Sequence, residues 1–187
     1  VISIEELKTK DLALSDHLAN GVHNWAIGLA TAEGAAIGTM GGMGIAFDIP
    51  ALMVLSLRTV HKIGLCYGYK SNTEQEKQYV LEILSVVGSN SFKEKQAALY
   101  QLAALKQALK IPWKNMVKND LAQALLLLIR QVCKQIGVNL SKRKALQIIP
   151  VVGGLVAAAI NGNFIRDLGY AAIRSYQERW LTDNDKW

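Results

Sequence analysis

The stretch that decides the fold is residues 33–69, EGAAIGTMGGMGIAFDIPALMVLSLRTVHKIGLCYGY. Its first part is apolar and contains five glycines, at Gly34, Gly38, Gly41, Gly42 and Gly44. Helix backbones can approach each other closely at glycines because no side chain intervenes, and a chain can also turn sharply there. This segment therefore predicts either close helix packing or a glycine-rich hairpin.

A helix is predicted to follow the glycines. The Asp48 carboxylate can accept hydrogen bonds from the free N–H groups of a first helical turn. Ile49 precedes Pro50, so its backbone is biased away from helical dihedral angles. Gly68 can adopt the left-handed conformation that ends many helices. We therefore predict a helix that begins at Asp48, with Asp48 as its cap, and ends near Gly68.

The rest of the chain also has helical patterns, without the sustained alternation that is typical of strands. Thr73 followed by Glu76 forms a capping box, which predicts a helix that ends at Gly88. We predict an all-α fold: a single bundle of about seven or eight helices with two glycine-rich apolar segments, forming one domain over residues 1–187. Because the chain begins with Val1, it is either a processed protein or a fragment of a longer one.

The second glycine-rich segment, residues 145–165, has no formal charge and is long enough to span a bilayer. However, Pro150, Gly153 and Gly154 interrupt it, and an interrupted backbone in a bilayer must be satisfied by neighbouring protein. We therefore expect contact with a membrane surface, or burial in a helical bundle, rather than a spanning helix.

Positive charge is concentrated in residues 93–144, which hold eleven Lys or Arg against two Asp or Glu. Within this region, lysines recur every fourth residue around a tryptophan: Lys106, Lys110, Trp113, Lys114 and Lys118. Such spacing places the charges on one side of a helix, and a tryptophan beside lysines suits a lipid headgroup region. The stripe is therefore the candidate membrane- or anion-binding site, with a solvated helix face as the alternative reading.

Two carboxylates, Glu33 and Asp48, are the candidate catalytic residues, because they bracket the glycines and could share acid and base roles in a closed site. Capping explains Asp48 without chemistry, whereas Glu33 has no comparable structural role. A buried carboxylate needs a partner. We therefore predict a buried polar network of Glu33, Asp48, Arg58, Arg166 and Asp167.

The sequence favours no metal site and no cofactor. His17, His23 and His61 lack the spacing of zinc ligands, and no cysteine pair supports them. Cys66 and Cys133 each lie in an apolar helical pattern, so we expect buried, reduced thiols rather than a disulfide.

Several pieces of the sequence, in order, resemble the EcsC family of bacterial proteins over residues 12–181. These pieces are EG at 33–34 with the glycines after it, FDIPAL at 47–52, LR at 57–58, YGY at 67–69, residues 76–81, IPVVG at 149–153, NFIRD at 163–167 and ERWL at 178–181. The family takes its name from a gene beside those of an ABC transporter. The resemblance implies a bacterial cytoplasmic or membrane-associated protein with an accessory role in ABC transport or secretion. We expect it to be cytoplasmic and peripheral at the inner face of the cell membrane. It transfers no catalytic residue.

We expect a non-enzymatic, membrane-associated helical module that binds an anionic membrane surface or a membrane protein such as an ABC transporter subunit. The alternative is a hydrolase-type enzyme that uses Glu33 and Asp48, which requires both carboxylates in one solvent-reachable cavity. Nucleic-acid binding through the basic region ranks third, since no nucleic-acid-binding motif is visible.

Overall fold

The computed structural model describes residues 3–40, 42–88 and 150–186, together with the single positions 134 and 138. These residues form a short 3-10 helix, Glu5–Lys8, and four α-helices: α1 (Leu12–Gly38), α2 (Gly42–Cys66), α3 (Glu74–Gly88) and α4 (Pro150–Asp183). No strand occurs among them. The all-α prediction is confirmed, whereas the predicted count of seven or eight helices is not confirmed by the four described.

Helix α4 is the centre of the described bundle, because α1, α2 and α3 all pack against it. Helix α1 runs antiparallel to α4, with Gly38 against Gly153 at one end and Asp16 bonded to Gln177 at the other. Helix α2 is parallel to α4, and α3 is antiparallel to it. The core lies between these helices and includes large buried side chains such as Trp180.

The closest helix contact is between α1 and α4, where glycines allow the backbones to touch. A Cβ atom at Gly34 would lie 2.7 Å from the carbonyl oxygen of Ala157, and one at Gly38 would lie 2.5 Å from that of Gly153. Both distances are shorter than van der Waals contact. The prediction of close helix packing is therefore confirmed. Gly34 and Gly38 lie inside α1, and Gly42 begins α2. The predicted glycine-rich hairpin is not confirmed.

The start of α2 differs from the prediction. Asp48 does not cap this helix, because α2 begins at Gly42 and continues through Asp48 and Pro50 to Cys66. Asp48 is 1% exposed and accepts a hydrogen bond from Asn161 Nδ2 of α4 at 2.7 Å. Proline removes one helical hydrogen bond. Here the packing of α2 against α1 and α4 outweighs that local loss, since tertiary contacts override intrinsic helix preferences.

The end of α2 and the start of α3 agree with the sequence prediction. Gly68 has φ of +86° directly after α2, which is the left-handed conformation expected of it. Thr73 Oγ1 accepts a hydrogen bond from the Glu76 backbone N–H at 3.3 Å, and α3 ends at Gly88. These signals act within a few residues, so the local sequence is sufficient to place them.

One end of the bundle, where α2 ends, α3 begins and α4 ends, is stabilised by an arginine and aromatic rings. We call it the lower end. Arg179 donates two hydrogen bonds to the Glu76 carboxylate, at 2.9 and 2.6 Å, and its guanidinium lies 4.1 Å from the centre of the Tyr69 ring. Burial raises the pKa of Tyr69, as does the hydrogen bond that its hydroxyl donates to Asp183. Tyr69 therefore stays neutral, and the bidentate pair fixes α3 to α4.

His23 lies buried where α1 crosses α4. Its Nε2 donates a hydrogen bond to the carbonyl oxygen of Arg166 at 3.0 Å, and its ring meets Tyr170 edge to face. A Cβ atom at Gly169 would lie only 2.1 Å from the His23 ring, so this position of α4 leaves space for the imidazole. Burial lowers the pKa of His23 despite its hydrogen bond.

We expect the free energy of unfolding to decrease as the pH falls below about 6.5, the ordinary histidine value. In the unfolded chain His23 binds a proton near that pH, whereas the folded chain resists protonation because the imidazole is buried. The unfolded state then binds more protons, so acid favours it. Urea unfolding at a series of pH values between about 7.5 and 5.5 measures the slope of the unfolding free energy against pH. H23Q retains a donor but cannot titrate, so an equal slope in H23Q would contradict this assignment.

Candidate functional site

A cleft of about 380 Å³ opens between α1 and α2. Its walls come from both helices: Val22, Trp25, Ala26, Leu29 and Glu33 of α1, and Ala51, Val54, Leu55, Arg58, Thr59 and Lys62 of α2. These positions recur at steps of three and four, so they form one face of each helix. We call this site the α1–α2 cleft, and its volume lies in the range of small-molecule binding sites.

The rim of the α1–α2 cleft exposes large apolar side chains. Trp25 is 58% exposed and Val54 is 50% exposed, on opposite sides of the opening. Leu18 is 40% exposed and lies one turn before Val22 on the same side of α1. Single exposed apolar residues are ordinary, but several around one concave site suggest a binding surface.

Two cations lie at one end of the α1–α2 cleft. Arg58 and Lys62 are one helical turn apart on α2 and both are exposed. Lys62 Nζ lies 4.9 Å from the centre of the Trp25 ring, a cation–π contact. In the described part of the chain, no carboxylate lies within ion-pair distance of either cation. This end of the cleft therefore offers uncompensated positive charge.

The opposite end of the cleft carries Glu33, which is half-buried. Because α1 and α2 are antiparallel, Glu33 faces the part of α2 around Ala51 rather than the part around Lys62. Among the described residues, no cation pairs with Glu33. The site thus has a positive end, an apolar middle and a single carboxylate at the far end.

The five residues predicted as one buried polar network are not gathered together. Asp48 is buried, but its bonded partner is Asn161. Arg58 and Glu33 line the α1–α2 cleft. Arg166 pairs with its neighbour Asp167, Nε to Oδ1 at 3.7 Å, and both side chains are more than half exposed. The prediction assumed that charges in apolar segments are buried, whereas these long side chains reach solvent from the helix surface.

The α1–α2 cleft does not contain both candidate catalytic carboxylates. Glu33 lines the α1–α2 cleft, while Asp48 is enclosed between α2 and α4 and is not among the residues lining it. This cleft therefore does not meet the condition that the hydrolase alternative set for the pair. Within residues 3–40, 42–88 and 150–186, no three His, Cys, Asp or Glu side chains lie close enough together to hold a metal ion.

The predicted lysine stripe lies outside the described residues; its members are Lys106, Lys110, Trp113, Lys114 and Lys118. None of the described helices combines the length and apolar character needed to cross a bilayer. Sequence reasoning missed Trp25, Val54 and Lys62. The four-residue spacing of Arg58 and Lys62 was the available signal, but their relation to Trp25 depends on how α1 packs against α2.

With this geometry established, comparison with known proteins identifies the family. The sequence model of the EcsC protein family matches residues 2–181. The chain belongs to the EcsC protein family. Several pieces that carry the EcsC resemblance meet at the lower end of the bundle, where Tyr69, Glu76 and Arg179 contact one another. In this EcsC domain, those pieces therefore hold the helices together, whereas Glu33, Ala51 and Arg58 from other pieces line the cleft.

This EcsC protein is similar to a Bacillus subtilis (strain 168) protein described as uncharacterized protein YdbA. The two are 27% identical over 184 residues, which covers 98% of this chain and 64% of YdbA. The chain thus spans less than two-thirds of the length of that curated relative. No solved structure matches the EcsC chain.

Proposed function

We propose that this protein is a non-enzymatic helical module that associates peripherally with an anionic membrane surface through the rim of the α1–α2 cleft. One observation carries the proposal: the exposed Trp25 and Val54 lie beside the uncompensated cations Arg58 and Lys62. We place this association at the cytoplasmic face of the cell membrane, where anionic lipids attract basic surfaces.

The chemistry of this rim suits a lipid headgroup region. An indole ring has an apolar body and a polar N–H, so tryptophan concentrates at membrane interfaces. Lysine and arginine can lay their methylene stems along apolar surface while keeping their charge near lipid phosphates. The contact between Lys62 and the Trp25 ring places both properties at one point of the surface. No chemical step is assigned to the site.

The basic stripe of the middle region is a second proposed contributor to the same association. Four lysines and one tryptophan make it up: Lys106, Lys110, Trp113, Lys114 and Lys118. Each basic residue near an anionic membrane contributes about 1 kcal/mol, so both regions would add to binding. The rim is therefore tested by variants that leave the stripe intact.

The double variant R58Q/K62Q is expected to bind anionic vesicles about 30-fold more weakly than the wild type, since two contributions of about 1 kcal/mol are lost. Flotation with vesicles of phosphatidylglycerol and phosphatidylcholine, at several mixing ratios and low salt, measures the partition coefficient. Raising the salt concentration should weaken wild-type binding, because mobile ions screen the attraction.

The matched control is R166Q/R174Q, which removes the same charge from exposed positions of α4. It should retain most of the binding. Equal loss in both double variants would contradict the rim as the docking surface, and absence of wild-type binding to any vesicle would contradict the lipid proposal. Binding to native membranes but not to vesicles would instead favour a membrane-protein partner such as an ABC transporter subunit, identified by cross-linking.

A further inference from the structure

We propose that the α1–α2 cleft binds a free straight-chain carboxylate of the fatty-acid type, with its anionic head at Arg58 and Lys62 and its tail toward Glu33. The inference deepens the proposed function and rests on it, because the ligand would reach the cleft from the membrane surface. It adds a defined ligand class and a limit on ligand length.

The head of such a ligand has a place to bind. Arg58 and Lys62 project from successive turns of α2 at one end of the cleft, and Thr59 lies between them in the lining. A guanidinium and an ammonium can together satisfy a carboxylate, and charge-assisted hydrogen bonds are stronger than neutral ones. Among the described residues, no protein carboxylate already occupies this position.

The tail of such a ligand has apolar walls to lie against. Beyond the cations, the walls are formed by Leu29 of α1 and by Val54 and Leu55 of α2. The rim residue Val54 is half exposed, so a tail lying along it would remove apolar surface from water. A volume of about 380 Å³ is sufficient for one such chain.

Glu33 limits the length of the tail. The distance along α1 from Val22 to Glu33 is about 16 Å at 1.5 Å per residue. An extended chain advances about 1.2 Å per bond, so the bonds from a carboxylate oxygen to the last carbon of dodecanoate span about 14 Å. With the radius of the terminal methyl group added, dodecanoate fills this length. A longer tail would press methyl groups against the Glu33 carboxylate or extend into water, and neither gains affinity.

Isothermal titration calorimetry of the full chain, without vesicles and below the micellar concentration of each ligand, tests the inference. The probes are octanoate, decanoate, dodecanoate, tetradecanoate and hexadecanoate. Affinity should rise about fourfold for each added methylene up to about dodecanoate, then level off. Dodecanol, which lacks the charge, should bind at least about tenfold more weakly than dodecanoate.

Two variants test recognition of the ligand's head and of its tail separately. R58Q should weaken every carboxylate by a similar factor of about ten and leave the length profile unchanged. E33L should leave decanoate binding nearly unchanged and extend the rise in affinity to tetradecanoate. Far-ultraviolet circular dichroism and urea midpoints verify that both variants are folded, and both residues reach solvent.

The inference is overturned if no carboxylate binds saturably, or if wild-type affinity continues to rise through hexadecanoate. It is equally overturned if E33L does not move the plateau in affinity to longer chains. Vesicle binding that survives while carboxylate binding is absent rejects this inference alone. Absence of vesicle binding by the wild type rejects the proposed function, whatever affinities the calorimetry measures.

Discussion

Replacing Gly38 by alanine is expected to lower the free energy of unfolding by about 3 kcal/mol. The new Cβ would lie 2.5 Å from the carbonyl oxygen of Gly153 and 2.8 Å from the Cα of Gly154. Both are backbone atoms, so no change of side-chain rotamer relieves the clash, and α1 must move away from α4. Alanine favours the helix by only about 1 kcal/mol, which is too little to compensate. Urea unfolding followed by circular dichroism measures the loss.

The matched control for this prediction is G28A in the same helix. No atom lies within 4 Å of a Cβ built at Gly28, so only the helix preference changes. G28A is expected to stabilise the protein by about 1 kcal/mol. Opposite signs of the change in unfolding free energy for G38A and G28A would establish that glycine is required for helix contact at position 38 but destabilises the helix at position 28. If both variants were stabilised, the close contact between α1 and α4 would be wrong.

Replacing Trp180 by alanine is expected to lower the free energy of unfolding by about 4 kcal/mol. Trp180 is 1% exposed and is among the largest fully buried side chains of the described residues. Its Nε1 donates a hydrogen bond to the carbonyl oxygen of Leu7 at 3.2 Å, which ties the segment before α1 to the end of α4. The variant therefore loses packing and also frees the N-terminal segment. Thermal unfolding should show a decrease of about 12 °C.

The variant W180F separates these two contributions. Phenylalanine retains much of the buried apolar surface but cannot donate the hydrogen bond to Leu7. We expect it to cost about 1 to 2 kcal/mol, from the lost hydrogen bond and the smaller ring. A cost for W180F as large as that for W180A would mean that the hydrogen bond, not packing, accounts for the effect.

Signals that act over a few residues could be predicted from the sequence. The left-handed Gly68 needs only the absence of a side chain, and the Thr73 cap needs only the Glu76 N–H three residues later. Asp48 failed as a cap because its bonded partner, Asn161, lies 113 positions away. The helix boundary predicted at Pro50 was wrong, because packing of α2 against α1 and α4 keeps the helix continuous through it.

The same difference between local and long-range contacts applies to the candidate site. The lysine stripe was visible because its spacing is local, whereas the α1–α2 cleft depends on two helices lying side by side. Glu33 was recognised as a residue without a structural explanation, and it does line the cleft. Of the residues predicted to accompany it, Arg58 lines the same cleft, whereas Arg166 is exposed beside Asp167 on α4. Trp25 could not be recognised from the sequence, because its contact with Lys62 depends on how α1 packs against α2.

The central position of α4 has a consequence for synthesis on the ribosome. Helices α1 and α2 emerge long before α4, yet the small-residue face of α1 is covered by α4 in the described bundle. A nascent chain must therefore expose that face until nearly the whole domain has been translated. Contacts between segments so far apart in sequence form late and slowly. Translation pauses before Pro150 should thus increase the dependence of this protein on nascent-chain chaperones.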